Sequence, residues 1–504
     1  MDSKRLLELQ SSRGAKSVGK ETQHKSIEAV ISDCRRYIQD NSDSYRELDV
    51  DRKRIVIKEL ITKFVMNNPV LVDGYTDEDN RPDTNKLLDK LVEDITDYGI
   101  LTAAMIDPMV FEIRGNGKEI KVEIAGKVQD LRDKDGHIVS FESTEQQDII
   151  LRKMLGDVRL TPKDALVSAR TVEGYRIAAV HYSATSPDPD DPTAEQYHAF
   201  VLRKFNKVKL TLADIVGKKT LSDNMARTLS LLPAGGLTFF TVGETGSGKT
   251  TMNNAILQAV PASTRTVLIQ NPSEIDLRFK DPSGRMYNDA LHLEAREIEN
   301  PTPADATMNG LMNQVLRLTP SFVALGEIRS NEEFAQAVKI LNAGHPLNST
   351  YHAGSSAGAI SRFLIAYLAG AGNMPADLAL STITALLDII IVQKKMRDGT
   401  RKVIQITEVL GVDPNDRNKP LLNDLYVYNI TDEPEYDEAG NVLKIHGEHK
   451  RVGKISDRLI RKFQLEGVAD SRYDFLLKDV DPNEVEEYTG QNIDKYGMRT
   501  GASV

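Results

Sequence analysis

Eight consecutive residues have the spacing of a phosphate-binding loop. Gly243 to Thr250 read GETGSGKT, an apolar run from Leu237 to Val242 precedes them, and apolar residues at helical spacing follow. Glycines let the backbone wrap so that its N–H groups face a phosphate chain, and the next helix adds its positive N-terminal end. The predicted nucleotide site comprises Gly243, Glu244, Thr245, Gly246, Ser247, Gly248, Lys249, Thr250 and Thr251.

Two side chains of this loop have specific chemistry. Lys249 should reach the outer phosphates, and Thr250 should hold a magnesium ion. The alternative is a glycine-rich turn that matches the pattern by chance, because a bare motif is common in a chain of 504 residues. The strand-like run before the loop and the amphipathic helix after it favour phosphate binding.

Two later stretches supply carboxylate and imidazole groups. Residues 320–325 predict an apolar strand, and Glu327 follows it at the position where phosphate-loop folds direct a carboxylate to magnesium and the γ-phosphate. His345 and His352 lie in the next stretch, residues 344–355. Zinc binding is the alternative for the two histidines, but neither a cysteine nor a third histidine lies near them in the sequence.

The elements around these residues predict an α/β fold. Strand and helix signals alternate after the loop, at residues 266–270, 305–318, 321–325, 332–342 and 349–352. This order predicts a mostly parallel sheet with helices on both faces and a ligand at the carboxyl ends of the strands. An Asn116-Gly117 turn between apolar runs predicts a hairpin in a small preceding domain.

Four regions follow from these signals. We expect a helical N-terminal region at 1–90, an α+β domain at 91–210, the phosphate-loop domain at 211–412, and a polar C-terminal extension at 413–504.

Composition narrows the class of protein. The formal net charge is −10, from 64 basic and 74 acidic residues, which disfavours direct contact with nucleic acid. Cys34 is the single cysteine, which excludes an internal disulfide framework and suits a reducing compartment. The first residues lack the apolar core of a signal peptide, and the longest apolar runs are short. We therefore expect a cytoplasmic protein without transmembrane segments.

Together the motifs resemble those of the type II/type IV secretion ATPase superfamily, the motors of secretion systems, conjugation machines and type IV pili. Residues 326–329, GEIR, are similar to its Walker B box, and residues 344–345 with 350–353, GH and TYHA, are similar to its histidine box. The resemblance runs from about Asp97 to about Gly467. It is closest to the tight-adherence (CpaF-like) pilus assembly branch and the VirB-type conjugation ATPases.

The resemblance implies an ATPase with a RecA-like motor domain that binds ATP and Mg²⁺, the ion at Thr250 and Glu327. It implies catalytic roles for Glu327, Glu274 and His352, and phosphate sensing by His345 and Arg329. It also implies that Arg176 and Arg203 of the α+β domain contact nucleotide phosphates, with ordinary strand-edge cations as the alternative.

The same resemblance implies a homo-oligomer, a hexameric ring that powers pilus assembly, secretion or conjugative transfer across the cell envelope. Its expected place is the cytoplasmic face of the inner or cell membrane, and its expected partners are inner-membrane platform or secretion-system proteins.

Three positions depart from the family pattern. Gln270 and Asn271 replace carboxylates of the aspartate box, and Ser321 replaces a carboxylate ahead of the Walker B strand. An amide cannot take a proton from water at neutral pH, so general-base work falls to Glu274 or Glu327. The alternative function is a nucleotide-binding scaffold or regulator with weak hydrolysis.

Overall fold

A computed structural model of the chain describes residues 23–41, 50–68, 70–76, 81–124, 126–186, 191, 193–204, 210–271, 274–281, 283–296, 305–371, 374–481, 484–491 and 493. The chain divides into two compact units, residues 1–207 and residues 208–504. The phosphate loop lies in the second unit.

Helices open the first unit. They are α1 (Ile27–Asp40), α2 (Val50–Asn67) and α3 (Thr84–Thr96), beside the short parallel strands β1 (Gln23–His24) and β2 (Val70–Leu71). Ser26 and Asp83 begin α1 and α3, because each side chain accepts a hydrogen bond from a backbone N–H of the first helical turn. The apolar faces share one core that includes Val30, Cys34, Ile38, Ile57, Ile61, Leu87 and Leu91.

An antiparallel sheet forms the rest of the first unit. Its strands are β3 (Val110–Asn116), β4 (Glu119–Ile124), β5 (Lys127–Asp130), β6 (Leu166–Arg170), β7 (Arg176–Val180) and β8 (Ala199–Arg203), in the order β5-β4-β3-β8-β7-β6. The helices are α4 (Thr102–Ile106) and α5 (Thr144–Leu155), with 3₁₀ turns at Gly99–Leu101 and Tyr182–Ala184. The hairpin predicted at Asn116-Gly117 joins β3 to β4.

A nine-stranded sheet forms the centre of the described part of the second unit. Its strands are β9 (Phe239–Gly243), β10 (Thr266–Gln270), β11 (Ala290–Glu294), β12 (Phe322–Leu325), β13 (Leu347–Tyr351), β14 (Ile389–Lys395), β15 (Arg401–Asp413), β16 (Asp416–Ile430) and β19 (Gly447–Arg451). The order is β11-β10-β12-β13-β9-β14-β15-β16-β19, parallel from β11 through β14 and antiparallel thereafter. The α/β fold with a mostly parallel sheet is therefore confirmed.

Helices cover both faces of this sheet. They are α6 (Leu212–Gly217), α7 (Asp223–Ala234), α8 (Lys249–Leu257), α9 (Met308–Val315), α10 (Asn331–Asn342), α11 (Ser356–Ala371), α12 (Ala376–Leu386) and α13 (Asp457–Leu465). The 3₁₀ turns are Leu316–Leu318, Asp470–Arg472 and Asp474–Leu476. Neighbouring strand residues alternate between two cores: Phe239 and Leu268 pack with α6, α7, α8 and α13, whereas Phe240 and Ile269 pack with α9 to α12.

Residues 413–504, expected to form a polar extension, contribute β16 and β19 to the central sheet. A small hairpin, β17 (Glu435–Tyr436) with β18 (Val442–Lys444), lies between them. Helix α13 returns to the sheet through Leu459 and Phe463, which belong to the core. Most residues of β16 are half-buried or exposed, while Leu425 and Tyr426 are fully buried, so the polar composition of the segment hides its place in the sheet.

Within the described ranges, no helix combines the length and the apolar character needed to cross a membrane.

Candidate functional site

The predicted phosphate loop connects β9 to α8 at the carboxyl edge of the parallel strands. Gly248 begins α8 with φ +96°, a left-handed backbone conformation that favours glycine. A β-carbon on Gly243 would lie 2.0 Å from the backbone oxygen of Gln393 on the neighbouring strand β14. These two glycines are therefore required by backbone conformation and by close packing, respectively.

A buried polar network fixes the base of the loop. The Thr241 hydroxyl donates to Asn253 Oδ1 at 2.6 Å, and Asn253 Nδ2 donates to Asn348 Oδ1 at 3.0 Å. Asn253 and Asn348 are fully buried. The network joins β9, α8 and β13, so the two strands and the helix that carry the site hold one arrangement.

Lys249 lies inside the loop. Its Nζ donates to the backbone oxygens of Gly243 at 3.1 Å and Glu244 at 3.0 Å, and its side chain is almost fully buried. His352, which directly follows β13, brings Nδ1 to 3.5 Å from Lys249 Nζ and to 3.2 Å from the Gly243 oxygen. The structure thus brings the histidine-box imidazole to the phosphate-loop ammonium.

Glu327 completes a chain of charged groups. One carboxylate oxygen lies 3.3 Å from His352 Nε2, and the other accepts a 2.7 Å hydrogen bond from Arg329 Nε. Arg329 is held in turn, since its backbone N–H donates to Glu333, the acidic residue of the capping box that begins α10. Lys249, His352, Glu327 and Arg329, predicted from separate motifs, therefore form one continuous group.

The protonation of His352 follows from its neighbours. Burial, and then the charge of Lys249, hold its pKa below the ordinary value, which favours the neutral ring. A neutral imidazole has one N–H and one acceptor nitrogen. Nδ1 lies between the Lys249 ammonium, which can only donate, and the Gly243 oxygen, which can only accept, so each neutral tautomer satisfies one of these two contacts. In either tautomer the ring lies between the phosphate loop and the Glu327 carboxylate.

The altered aspartate box has a structural role at its first position. Gln270 Nε2 donates to the backbone oxygen of Ile275 at 2.7 Å, and its Oε1 accepts from the N–H groups of Glu274 and Ile275. A carboxylate here could accept but could not donate. The amide of Gln270 therefore shapes the loop that carries Glu274. The side chain of Glu274 is half-buried, and its role as a candidate base rests on the sequence pattern.

Two other positions lie away from the phosphate loop. Ser321 precedes β12 and His345 precedes β13, whereas Glu327 and His352 follow the same two strands. At about 3.3 Å per strand residue, each pair is separated by roughly 20 Å. Ser321 and His345 therefore lie at the opposite ends of their strands from Glu327 and His352, and phosphate sensing by His345 stays a prediction.

Arg176 and Arg203 belong to the first unit, on neighbouring strands β7 and β8. They face each other in register, and Arg170 of β6 faces Arg176 from the other side. Arg170 is not part of any motif noted above. It could have been found from its position in the hairpin, because residues at equal distances on the two sides of a turn become cross-strand neighbours, and Arg170 and Arg176 flank the Gly174 turn in this way.

The loop fits a phosphate chain and magnesium. Its backbone forms the cradle described above, Lys249 supplies the cation, and Thr250, half-buried in the first turn of α8, supplies a hydroxyl. Hydroxyl and carboxylate oxygens are the donors that Mg²⁺ prefers, and Glu327 offers the carboxylate. Two further side chains, Gln393 of β14 and Arg401 of β15, pack against the loop without any motif that marks them.

Comparisons with known proteins identify the family of this chain. The profile of a family described as type II/IV secretion system protein matches residues 96–419. An uncharacterized protein of Methanocaldococcus jannaschii, MJ0900, is 29% identical over 247 residues, which is 49% of this chain and 40% of that protein. The type IV secretion system protein VirB11 of Brucella suis is 29% identical over 177 residues, 34% of this chain and 46% of that protein. The alignments thus span less than half the length of these relatives.

Among solved structures, the VirB11 ATPase of Brucella suis in complex with sulphate matches with a TM-score of 0.31 and 21% identity, covering 63% of this chain and 97% of that chain. The ATPase DotB of Legionella pneumophila matches with a TM-score of 0.40 and 18% identity, covering 63% and 81%. The profile covers well over half of the present sequence, including the phosphate loop, Glu327 and His352. This chain belongs to the type II/IV secretion system protein family.

Proposed function

We propose that this chain is an ATP-hydrolysing motor that works as a hexameric ring and powers pilus assembly, secretion or conjugative transfer across the cell envelope. The observation that carries the proposal is the continuous group from Lys249 through His352 to Glu327, at the carboxyl edge of the parallel strands. Ligands of open α/β sheets bind at this edge.

Each residue of the group has a role in the proposed reaction. Lys249 exchanges its contacts with the loop oxygens for contacts with the outer phosphates, since the same ammonium cannot satisfy both. Thr250 and Glu327 hold Mg²⁺, which supplies charge neutralisation between the phosphates. Glu327 also orients the attacking water or accepts its proton, and Arg329 keeps this carboxylate in place through the 2.7 Å bond.

His352 is the residue suited to report the state of the phosphates. Its ring contacts both the loop and Glu327, so a shift of Lys249 toward a phosphate removes one of its partners. Strand β13 and helix α11 on either side of His352 then receive the change. In this proposal His352 couples phosphate contact to the position of the Glu327 carboxylate.

The remaining predicted features are part of the proposal. Arg176 and Arg203 bind nucleotide phosphates, which their cross-strand pairing supports, because like charges directly opposite each other repel and a bound anion would relieve that repulsion. The ring acts at the cytoplasmic face of the membrane on platform or secretion-system proteins. Family membership and the secretion-system names of the relatives support this part.

A nucleotide-binding scaffold is the second candidate. Gln270 and Asn271 favour it, since neither amide can act as a base. Against it, the Gln270 side chain is engaged with the Glu274 loop, so the amide has a structural reason to be present.

The test is steady-state phosphate release from MgATP by the full chain after size fractionation. We expect repeated turnover by the wild type, loss of nucleotide binding and turnover in Lys249→Ala, and wild-type behaviour in Lys339→Ala, an exposed lysine of α10. Binding without turnover in the wild type overturns the motor and favours the scaffold. Native mass spectrometry with MgATP tests the ring, and any stable assembly other than six subunits contradicts it.

A further inference from the structure

The outer wall of the phosphate loop is built by the β14–β15 hairpin. Gln393 of β14 pairs in register with Gly243, and Lys395 pairs with Arg401 across the hairpin. The turn between the strands is fixed by buried Asp398, whose carboxylate accepts from the N–H and the hydroxyl of Thr400. The hairpin therefore presents two side chains to the loop from a rigid support.

Arg401 holds one peptide of the loop in a defined orientation. Its Nε donates to the backbone oxygen of Gly246 at 3.1 Å. In a trans peptide the next N–H points the opposite way, so the Ser247 N–H is directed toward the inside of the loop, where it reaches the Glu244 oxygen at 3.3 Å. Arg401 thereby orients a donor that a phosphate oxygen requires.

Gln393 is placed against the residue that begins α8. A β-carbon on Gly248 would lie 3.1 Å from Gln393 Nε2 and 3.2 Å from Arg401 Cδ, so both side chains cover this glycine. Gln393 is 4% exposed, and within the described part of the chain its Oε1 has no hydrogen-bond partner. An unsatisfied buried amide oxygen destabilises a fold, so an apolar residue of similar size would fit this position better if packing were its only role.

A complementary group lies in the loop itself. The Ser247 hydroxyl is fully buried, and among the described residues it also lacks a hydrogen-bond partner. Its Oγ lies 2.7 Å from the point where a β-carbon of Gly243 would be, next to the backbone of Gln393. The loop thus carries a buried hydroxyl without a partner among the described residues, and the adjacent wall carries a buried amide oxygen without one.

We propose that Arg401 and Gln393 are positioning residues for the nucleoside triphosphate: Arg401 orients the loop amides, and Gln393 accepts a hydrogen bond from Ser247 when the loop closes on the phosphates. Neither residue belongs to the phosphate-loop, Walker B or histidine motifs. The inference rests on the proposed nucleotide site and concerns how tightly the loop binds, because a brace outside the loop acts equally on bound substrate and transition state.

The first test separates affinity from chemistry by ATP kinetics. Arg401→Met keeps the packing stem and removes the charge-assisted bond, so KM for ATP should rise about ten-fold while kcat changes less than about three-fold. Arg401→Lys should recover part of the loss. Arg417→Met is the matched control. Arg417 is an exposed arginine of β16, at the end of the β15–β16 pair that lies farthest from Arg401, and this variant should behave as wild type.

The second test compares the effect of each variant on KM for ATP with its effect on Tm. Gln393→Leu removes an unpaired buried oxygen, so its Tm should equal or exceed that of the wild type while KM for ATP rises several-fold. Ser247→Ala should raise KM by a similar factor, and the double variant should be no worse than either single variant, since both remove one hydrogen bond. A lower Tm with unchanged KM in Gln393→Leu, or additive effects in the double variant, overturns the pairing.

The outcomes distinguish this inference from the proposed function. An inactive wild type contradicts the motor itself. An active wild type that depends on Lys249 but tolerates Arg401→Met with unchanged KM and kcat leaves the motor intact and refutes the positioning role.

Discussion

Replacing Glu327 by glutamine is the sharpest perturbation of the proposed reaction. The carboxylate accepts a hydrogen bond from Arg329 Nε at 2.7 Å, its other oxygen lies 3.3 Å from His352 Nε2, and its side chain is 23% exposed. A glutamine of the same length has one oxygen and one NH₂ group. Its single oxygen can keep the bond from Arg329, its NH₂ group then faces His352, and it carries no negative charge.

The expected effect is larger on the chemical step than on binding. Loss of a positioned proton acceptor lowers kcat by about 10²–10⁴, or roughly 3–5 kcal/mol of transition-state stabilisation. KM should rise by a smaller factor than kcat falls, because Lys249, Thr250 and the loop amides would still hold the triphosphate and its Mg²⁺. Tm should change little, since a partly exposed ion pair contributes at most about 1 kcal/mol.

The assay is phosphate release over a range of MgATP concentrations, with equilibrium binding of a fluorescent ATP analogue to the same preparations. Glu274→Gln serves as the comparison, because Glu274 is the other candidate base and its loop is fixed by Gln270. We expect Glu274→Gln to retain most of its kcat. The reasoning fails if Glu327→Gln keeps more than a tenth of wild-type kcat while Glu274→Gln loses a hundred-fold or more.

Three further predictions concern buried polar groups. Gln270→Glu removes the donor to the Ile275 oxygen, so thermal denaturation should show a loss of about 1–3 kcal/mol and kinetics no gain in kcat; a gain would show that the amide limits hydrolysis. Asp388→Asn removes the charge of a fully buried carboxylate that pairs with Arg458 and Lys462 of α13. The free energy of unfolding in urea should fall by about 3–5 kcal/mol, and a decrease below about 1 kcal/mol would contradict a stabilising buried ion pair. Burial, with Lys402 nearby, lowers the pKa of His449 to about 4. Between pH 6.5 and 4 this histidine is protonated in the unfolded chain and neutral in the folded chain. The free energy of unfolding should therefore fall by about 1.4 kcal/mol for each pH unit of acidification in this range, and His449→Gln should lack this contribution.

Local patterns were sufficient for the sheet and for the main site residues. The apolar run before Gly243 and the one before Glu327 are strands of one parallel sheet, with β13 between them, since a continuous apolar strand is buried on both faces. Parallel strands place their following residues at one edge, which is why Lys249, Glu327 and His352 meet. Glu327 and His352 could be predicted because they follow closely after a strand, and Lys249 because it begins the helix after β9.

Other features depend on pairings between distant segments. His345 and His352 looked equivalent in the sequence, but one precedes β13 and the other follows it, and only the parallel register with β9 decides which one meets the loop. Gln270 looked like a lost base because the sequence does not show that its amide spans to Ile275. Arg401 gave no local signal, since its contact with Gly246 arises from a hairpin more than a hundred residues away.

The arrangement of β9 also has a consequence for synthesis of the chain. Strand β9 is flanked by β13, which begins at Leu347, and by β14, which ends at Lys395. At about 5–20 residues per second on the ribosome, roughly 8–30 s separate the emergence of the glycine-rich motif from that of Arg401. A nascent or truncated chain that ends between residues 351 and 389 therefore carries the complete motif and β13, but lacks β14 and the hairpin wall beside the loop. During synthesis the chain therefore contains the phosphate-loop motif before it contains all the strands that shape a nucleotide site.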